Sequence, residues 1–237
     1  MKAIVMLPTY NEKENIEDIV REILKNKNVN ILIVDDNSPD STGQIADKLA
    51  KEYAGMVHVI HRNERGRGTA GITGFKYALT QNVDCIFEMD ADFSHDPADI
   101  PRFLEEIKKY DVVIGSRYVK GGNSINCHFK NILLSHISNI YNRIILGLEV
   151  KDSSGGYKCY RKEVLGSINL DNYFSKGYSV GPETLFKIKQ KKFTMKEIPI
   201  IFRNRAKGLS KSNIKIIIEY PIVVLKLRLS LKSLFGE

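Results

Sequence analysis

The chain of 237 residues is 43% apolar and 27% charged, with 17 Gly, 7 Pro and no internal repeat; this argues against disordered, collagen-like and solenoid architectures and leaves room for a sizeable core. Cys85, Cys127 and Cys159 are an odd set at unrelated spacings without C-x-x-C, which argues against a disulfide framework or zinc knuckle and fits a reducing compartment. The net charge of +8 is divided: residues 1–116 hold 14 Lys+Arg against 20 Asp+Glu, a balance of −6, and residues 117–237 hold 22 against 8, a balance of +14. An acidic half can neutralise its carboxylates with a metal ion, while a basic half is drawn to phosphates or an anionic membrane surface.

The opening MKAIVMLPTYNE lacks the apolar h-region and cleavage site of a signal peptide, so export by that route is not expected. AIVMLP (3–8) reads as a buried strand. Asn11 stands three residues before Glu14, a capping-box spacing, and Ile16, Ile19, Val20, Ile23 and Leu24 follow at helical intervals. NILIVDDN (30–37) is a second buried strand ending in two carboxylates, SPDSTGQ is its turn, and residues 44–53 form a short helix before the strand VHVI (57–60). A helix from Thr69 to Leu79, the strand DCIFEMD (84–90), a helix after Pro97 and the strand DVVIGS (111–116) continue the alternation. The pattern predicts an α/β fold, a mostly parallel central sheet with helices on both faces. Sites in such sheets lie at strand C-termini, which collects Pro8–Glu12, Asp35–Asn37, Asp90–Asp92 and Ser116–Arg117 along one edge.

In the second half, Lys and Arg interrupt nearly every apolar stretch. Residues 129–146 have helical spacing, DSSGGYKCY (152–160) is turn-rich and ends as a strand, and 183–192 then 194–202 read as helix then strand. Residues 213–235 are apolar but carry Lys215, Glu219, Lys226, Arg228 and Lys232. At about 2.5–3.5 kcal/mol per charge near a bilayer centre, this segment is not expected to span. Lys215, Glu219, Lys226, Ser230 and Ser233 fall on one stripe opposite a broad Ile, Val and Leu face. The segment therefore reads as an amphipathic interfacial or partner-binding helix, with a buried terminal helix as the alternative, and Pro221 is expected to break or kink it.

The strongest local feature is EMDADFSHDP (88–97), in which Asp90 and Asp92 bracket Ala91 directly after a strand. Carboxylates so crowded repel unless they hold a hard cation, and Mg²⁺ or Mn²⁺ takes oxygen ligands while keeping positions for substrate phosphates. His95 reads as a hydrogen-bonding scaffold rather than a ligand. GRGTAG (66–71) matches G-x-G-x-x-G, but a dinucleotide fold carries that loop after its first strand, where this chain has PTYNE, so nicotinamide binding is not expected. Gly66 and Gly68, with Arg62, Arg65 and Arg67 beside them, either approach an anionic ligand at a helix start or only shape a turn.

In this order, PTYNE (8–12), VDDNSPDST (34–42), the G-x-G-T-A turn (66–70), DADFSHDP (90–97), GSRY (115–118), D-x-x-G-G-Y-x-x-Y-R (152–161), the span 178–183 and R-x-x-G-x-S-K (205–211) carry a family resemblance. The chain resembles inverting glycosyltransferases of the nucleotide-binding GT-A fold, and among them the polyprenyl (dolichyl) phosphate mannose synthases. The resemblance implies that Pro8, Tyr10, Glu12, Asp35 and Asp36 hold the nucleoside of a donor such as GDP-mannose, with Ala91 against the ribose. It implies that Asp90 and Asp92 bind the diphosphate through Mg²⁺ or Mn²⁺, and that Arg205 and Lys211 close over the donor phosphates. Arg117, Lys130 and Ser135 would receive the phosphate of a polyprenyl phosphate, with Asp92 and Arg117 central to catalysis. A phosphate monoester, with a second pKa of about 6, is largely dianionic at neutral pH and needs no base to attack, so Glu183 is not expected to be essential.

The same resemblance implies a catalytic domain over 1–212, with a nucleotide-binding half (1–116) and an acceptor half (117–212), and an amphipathic segment (213–237). Such an enzyme would sit peripherally on the cytoplasmic face of the membrane, on the lipid surface or on a small membrane-anchoring subunit. Gly181, Asn131, Ser94 and Leu209 depart from residues common in the family, which leaves sugar and phosphate contacts open. UDP-glucose as donor, or a saccharide hydroxyl as acceptor with Glu183 or Asp152 as base, would use much the same scaffold. A nucleic-acid binder would interleave aromatics with Lys and Arg and would leave Asp90 and Asp92 unexplained, so nucleic acid is not an expected partner.

Overall fold

The computed structural model describes residues 1–204 and 214–234. In chain order the elements are β1 (Ala3–Thr9), α1 (Ile16–Leu24), β2 (Val29–Asp35), α2 (Thr42–Glu52), β3 (Val57–His61), α3 (Arg67–Thr80) and β4 (Cys85–Glu88). A 3₁₀ turn (Pro97–Asp99) leads into α4 (Ile100–Glu106), followed by β5 (Val112–Ser116), β6 (Asn123–Ile125) and α5 (Phe129–Leu146). The chain continues through β7 (Lys158–Arg161), α6 (Lys162–Ser167), α7 (Val180–Gln190), β8 (Met195–Pro199), β9 (Ile201–Arg203) and α8 (Ile214–Leu234).

Seven strands form one sheet in the order β3-β2-β1-β4-β7-β5-β8, and β6 pairs with β9 in a small second sheet. Every pairing in the large sheet is parallel except those of β7, which runs antiparallel between β4 and β5. The apolar runs are continuous because both faces are covered. Along β1, Ala3, Val5 and Leu7 enter the core shared with α1, α2 and α4, while Ile4 and Met6 enter the one shared with α3, α6, α7 and α8. Chain order reverses beside β1, with β2 on one side and β4 on the other, so the crevice of the sheet opens above the C-terminal ends of β1 and β4. Pro8 is tolerated in this central strand because pairing of β1 with β4 ends at Met6.

Two local expectations are corrected. The N-cap of α1 is Asn15 rather than Asn11, because Asn11 takes a left-handed conformation (φ 55°) and its N–H bonds Ser38 Oγ at 3.0 Å. The Glu12 N–H likewise bonds Thr42 Oγ1 at 2.8 Å, so PTYNE is tied to the turn after β2 before the helix begins. Pro221 does not break the terminal helix: α8 runs through it. The Pro221 carbonyl accepts a 3.0 Å hydrogen bond from Tyr141 Oη of α5, which braces the two helices together.

α8 has one buried face and one exposed apolar face. Val224 and Leu227 are buried, whereas Ile222, Leu225 and Leu229, at i, i+3 and i+7, are exposed. α5 carries a parallel feature, for Phe129, Leu133, Ile137, Ile140 and Ile144 form one exposed apolar stripe along its length. The side chains of Lys215, Glu219 and Ser233 lie outside the described residues, as do Arg205, Leu209 and Lys211. No described helix is long and apolar enough to cross a membrane.

Candidate active site

At the sheet's switch point lies a cleft of about 750 Å³, bounded by Pro8, Tyr10 and Glu12 after β1, Asp36 after β2, Arg65–Arg67, and Asp90–Asp92 after β4. Its outer wall is the segment Phe174–Ser179 together with Tyr220 and Val223 of α8. Another surface hollow, bounded by Met1, Val83, Asp84 and Arg161, lies at the opposite strand ends and away from these carboxylates.

Each cleft residue is held by its neighbours. Asp36 accepts a 2.8 Å hydrogen bond from the Gly66 N–H and lies 3.1 Å from Arg62 Nη1; burial nonetheless pushes its carboxyl above the ordinary range. Asp35 is not part of the lining. It is buried behind Asp36, where it accepts from Thr9 Oγ1 (3.1 Å), Ser38 N (3.0 Å) and Ser38 Oγ (2.5 Å), so it shapes the turn on which Asp36 is presented. Across the mouth, the Arg65 guanidinium stacks 3.8 Å above the Tyr10 ring. The G-x-G turn is thus part of the cleft, and Gly68 is required by packing: a Cβ there would meet the Gly177 carbonyl at 2.5 Å. That contact joins the start of α3 to the outer wall.

The acidic pair is shaped by an unusual backbone. Phe93, directly after Asp92, has φ 59°, a conformation that costs an aromatic residue and gathers at functional sites. It lets the Ser94 N–H fold back to Asp92 Oδ1 at 3.1 Å. Burial would raise the Asp90 carboxyl, but Arg67, followed by His95, holds it down at about 2. His95 supports the turn: its Nδ1 accepts from the Asp90 N–H at 3.2 Å, and burial pushes the imidazole below its ordinary value. Beneath them lies Lys158, buried in β7 and bonded to the Gly155 carbonyl, its ammonium lowered by burial.

Among the described residues no group of three or more His, Cys, Asp or Glu forms a metal site by itself. Two carboxylates one residue apart, lining a cleft, instead match a hard divalent ion that keeps positions for phosphate oxygens. The donor set fits Mg²⁺ or Mn²⁺.

A second constellation surrounds Arg117, just past β5. Its Nε and Nη2 grip Asp152 Oδ2 and Oδ1 at 2.7 Å each, and Nη2 also reaches Ser135 Oγ (3.0 Å) and Ser154 Oγ (3.1 Å). Asp152 is completely buried and further bonded by the Gly155 N–H (3.1 Å) and by Arg117 N (2.9 Å). Burial would raise its carboxyl, but the Arg117 guanidinium wins and lowers it. Among the described residues, Arg117 Nη1 meets no hydrogen-bond acceptor, and the guanidinium stacks 5.4 Å from the Phe202 ring. The structure therefore brings Arg117 and Ser135 together, as expected, but leaves Lys130 exposed on the first turn of α5. It adds Asp152, Asn139 and Ser154, whose role depends on the end of β5, helix α5 and the 152–154 turn meeting and has no signature in local spacing.

Glu183 is not presented to the cleft. It is fully buried, accepting from the Phe174 N–H (3.1 Å), the Ser175 N–H (2.9 Å) and Lys187 Nζ (3.1 Å). It anchors the outer wall.

Comparison with known proteins agrees with this architecture. The family model for glycosyl transferase family 2 matches residues 4–168. The chain is 40% identical over 220 residues to the polyprenol monophosphomannose synthase of Mycolicibacterium smegmatis, covering 90% of this chain and 83% of that one. It is 40% identical over 215 residues to the undecaprenyl-phosphate mannosyltransferase of Micrococcus luteus, covering 89% and 87%. The dolichol-phosphate mannosyltransferase of Pyrococcus furiosus is 40% identical over 227 residues, of which this chain spans only 62% of the length. Among solved structures, glucosyl-3-phosphoglycerate synthase from Mycobacterium tuberculosis, in complex with Mn²⁺, UDP-glucose and phosphoglyceric acid, superposes with TM-score 0.70 at 15% identity, covering 97% of this chain and 80% of that one. The mannosyltransferase PcManGT from Pyrobaculum calidifontis, in complex with GDP-Man and Mn²⁺, gives 0.56 at 14% identity, covering 100% and 76%. These two establish the likeness of fold. With the family match covering more than half of the chain, and relatives this similar over most of its length, the protein belongs to glycosyltransferase family 2.

Proposed function

We propose that this glycosyltransferase moves mannose from GDP-mannose to a polyprenyl phosphate, with inversion at the anomeric carbon. The names of the 40%-identical relatives support the sugar and the lipid acceptor. One observation favours a phosphate over a hydroxyl acceptor. The two carboxylates weighed as a general base, Glu183 and Asp152, are both fully buried and committed to hydrogen bonds and ion pairs. A hydroxyl must lose a proton in order to attack; a phosphate monoester dianion need only be positioned.

Under this reading Pro8, Tyr10, Glu12 and Asp36 bound the nucleoside end of the cleft, and Asp90 and Asp92 hold Mg²⁺ or Mn²⁺ beside the diphosphate. When bound, the metal supplies charge neutralisation for the departing nucleoside diphosphate. Arg117, fixed by Asp152 and flanked by Ser135 and Ser154, offers its remaining guanidinium edge to the acceptor phosphate. Arg205 and Lys211 are retained as proposed donor-phosphate contacts. We take 1–212 as the catalytic unit and 213–237 as its membrane-facing segment. The exposed stripes of α5 and α8 fit burial in the headgroup region on the cytoplasmic face, and Tyr220 and Val223 of α8 border the cleft that a membrane lipid must reach.

The test is transfer of radiolabel from GDP-mannose and UDP-glucose, in parallel, to polyprenyl phosphate in liposomes, with Mg²⁺ or EDTA and with Asp92→Ala. Organic-extractable label from GDP-mannose that needs both metal and Asp92 is the expected result. Label from UDP-glucose alone would change the sugar and keep the mechanism. Lipid label from neither donor would overturn the acceptor.

A further inference from the structure

The G-x-G turn lines the cleft and the D-x-x-G-G-Y turn packs behind it, and the two meet at one side chain. Arg67, the first residue of α3, donates from Nε (2.9 Å) and Nη2 (2.6 Å) to the same oxygen, Asp90 Oδ1. Its Nη1 reaches Glu88 Oε1 at 3.1 Å, so one guanidinium bridges the last residue of β4 and the first residue of the D-x-D pair. The other oxygen, Asp90 Oδ2, is turned inward, 3.7 Å from His95 Nδ1 and against Gly156. A Cβ at Gly156 would lie 2.9 Å from Asp90 Oδ2 and crowd Arg67 Nη2, so a larger residue there would force the guanidinium to shift. The glycine leaves room beside the carboxylate for the guanidinium. A carboxylate oxygen accepting two charge-assisted hydrogen bonds has little left to give a cation.

We infer that Arg67 is the resident counter-ion of Asp90, which a divalent metal must displace, and that the donor's diphosphate, by offering the displaced guanidinium a new partner, couples metal binding to nucleotide binding. The inference rests on reading the cleft as a metal and nucleotide site. Arg67 lines that cleft next to Asp92 and Arg65, so a diphosphate lying across the D-x-D pair comes within its reach. The consequence is an order of events. Metal alone must compete with a bidentate charged pair and binds weakly. Metal together with a nucleoside diphosphate replaces that pair by carboxylate–metal and arginine–phosphate contacts at once, and binds tightly. By linkage, the nucleotide is favoured by the metal to the same degree. With Asp90 held on an arginine, the pair is also kept from scavenging cations while no donor is present.

The test reads metal binding directly, by the electron paramagnetic resonance signal of free Mn²⁺ titrated against the protein with and without GDP. Arg67→Ala and Arg67→Gln are expected to bind Mn²⁺ alone about tenfold or more tightly than the wild type, the scale of one charged hydrogen-bonded pair. The tightening that GDP confers should shrink by a similar factor. Arg65→Ala removes the same charge from the same cleft without touching Asp90, and should change Mn²⁺ affinity by no more than about twofold. Wild-type Mn²⁺ affinity in both Arg67 variants, or an Arg65→Ala gain as large as theirs, would overturn the inference. Thermal unfolding establishes that each variant is folded. If the neutral variants do not fold, Arg67→Lys keeps the charge but loses the two-point grip, and an intermediate gain of about threefold is expected; no gain in that variant would equally overturn it. Asp90→Asn and Asp92→Asn separate the two levels of failure. If the wild type binds Mn²⁺ with GDP through these aspartates yet Arg67 is without effect, only the counter-ion role falls. If the wild type binds Mn²⁺ neither alone nor with GDP, the metal reading of the cleft falls and takes the inference with it.

Discussion

A fully buried carboxylate that already holds three donors and does not line the cleft is not placed to take a substrate proton, and Glu183 is such a group. Glu183→Gln replaces one acceptor oxygen with an NH₂ that faces a backbone N–H, at a cost of about 1–3 kcal/mol, and it loosens the wall around Phe174 and Ser175. Steady-state kinetics should show a higher KM for the nucleotide sugar and a smaller loss in kcat; a loss in kcat of about a hundredfold at constant KM would reinstate Glu183 as a base. The Arg117–Asp152 pair makes a pH prediction. Its Asp152 carboxyl is lowered on folding, so the pair's contribution to stability is complete above the unfolded value near 3.9 and is lost as pH falls through the lower folded value. Arg117→Ala strands a buried carboxylate and should cost about 3–5 kcal/mol at pH 7. Because the stranded group then protonates above the ordinary carboxylate value near 3.9, the gap between variant and wild type should begin to narrow above about pH 4 in denaturant titrations, and go on narrowing as pH falls toward the lowered wild-type value. Asp152→Asn in the Arg117→Ala background should recover part of the loss at neutral pH, which separates folding from phosphate binding. Of these residues, Asp90, Asp92 and Arg117 were legible because each stands directly after a strand in a polar motif. Asp152 as partner was not, since it meets Arg117 from 35 residues away; nor was Glu183 as anchor, since the fold of 174–175 back onto the start of α7 leaves no mark in local spacing.

Elements with strong periodicity declared themselves: the apolar spacing over 129–146 marks a helix, and α5 spans those residues. Its orientation was hidden, because the same spacing describes a helix that buries its apolar stripe and one that presents it. In α5 the polar residues Asn139 and Asn142 are buried against Ser154 and Ser153 along with Leu146, while Phe129, Leu133, Ile137, Ile140 and Ile144 face outward. The antiparallel β7 was equally hidden, since strand direction is set by the connections rather than by composition. The first-helix cap was misplaced for a related reason: the polar atoms of Ser38 and Thr42, one turn away in space, claim the Asn11 and Glu12 N–H groups. In α8 the two faces make separable predictions. Leu227→Ala empties a buried site and should cost about 2–5 kcal/mol in chemical denaturation. Leu225→Glu and Ile137→Glu alter exposed positions, so stability should change by no more than about 0.5 kcal/mol, while binding to lipid vesicles in sedimentation falls about tenfold or more.

At the scale of the molecule, the division of charge follows the division between the cleft's carboxylates and the helices with exposed apolar stripes. The −6 half supplies Glu12, Asp36, Asp90 and Asp92 to the cleft, and the +14 half supplies α5 and α8 with their exposed apolar stripes. Basic residues near an anionic leaflet contribute about 1 kcal/mol each and are screened within a Debye length of about 8–10 Å at ordinary salt. Burial of the α5 and α8 stripes is not screened. Raising salt from about 50 to about 500 mM should therefore weaken binding to anionic vesicles steeply, yet leave a residual affinity that Ile137→Glu removes. Turnover separates the surface from the site. With a long-chain polyprenyl phosphate embedded in anionic vesicles, rate should fall with salt in step with vesicle binding. With a short-chain, water-soluble prenyl phosphate, the same salt series should fall much less, because Arg117 is fixed against Asp152 in a buried network and does not depend on the membrane for its position. Equal sensitivity of both substrates would mean that salt acts on the phosphate site itself, and the α5–α8 face would lose its place in the reaction.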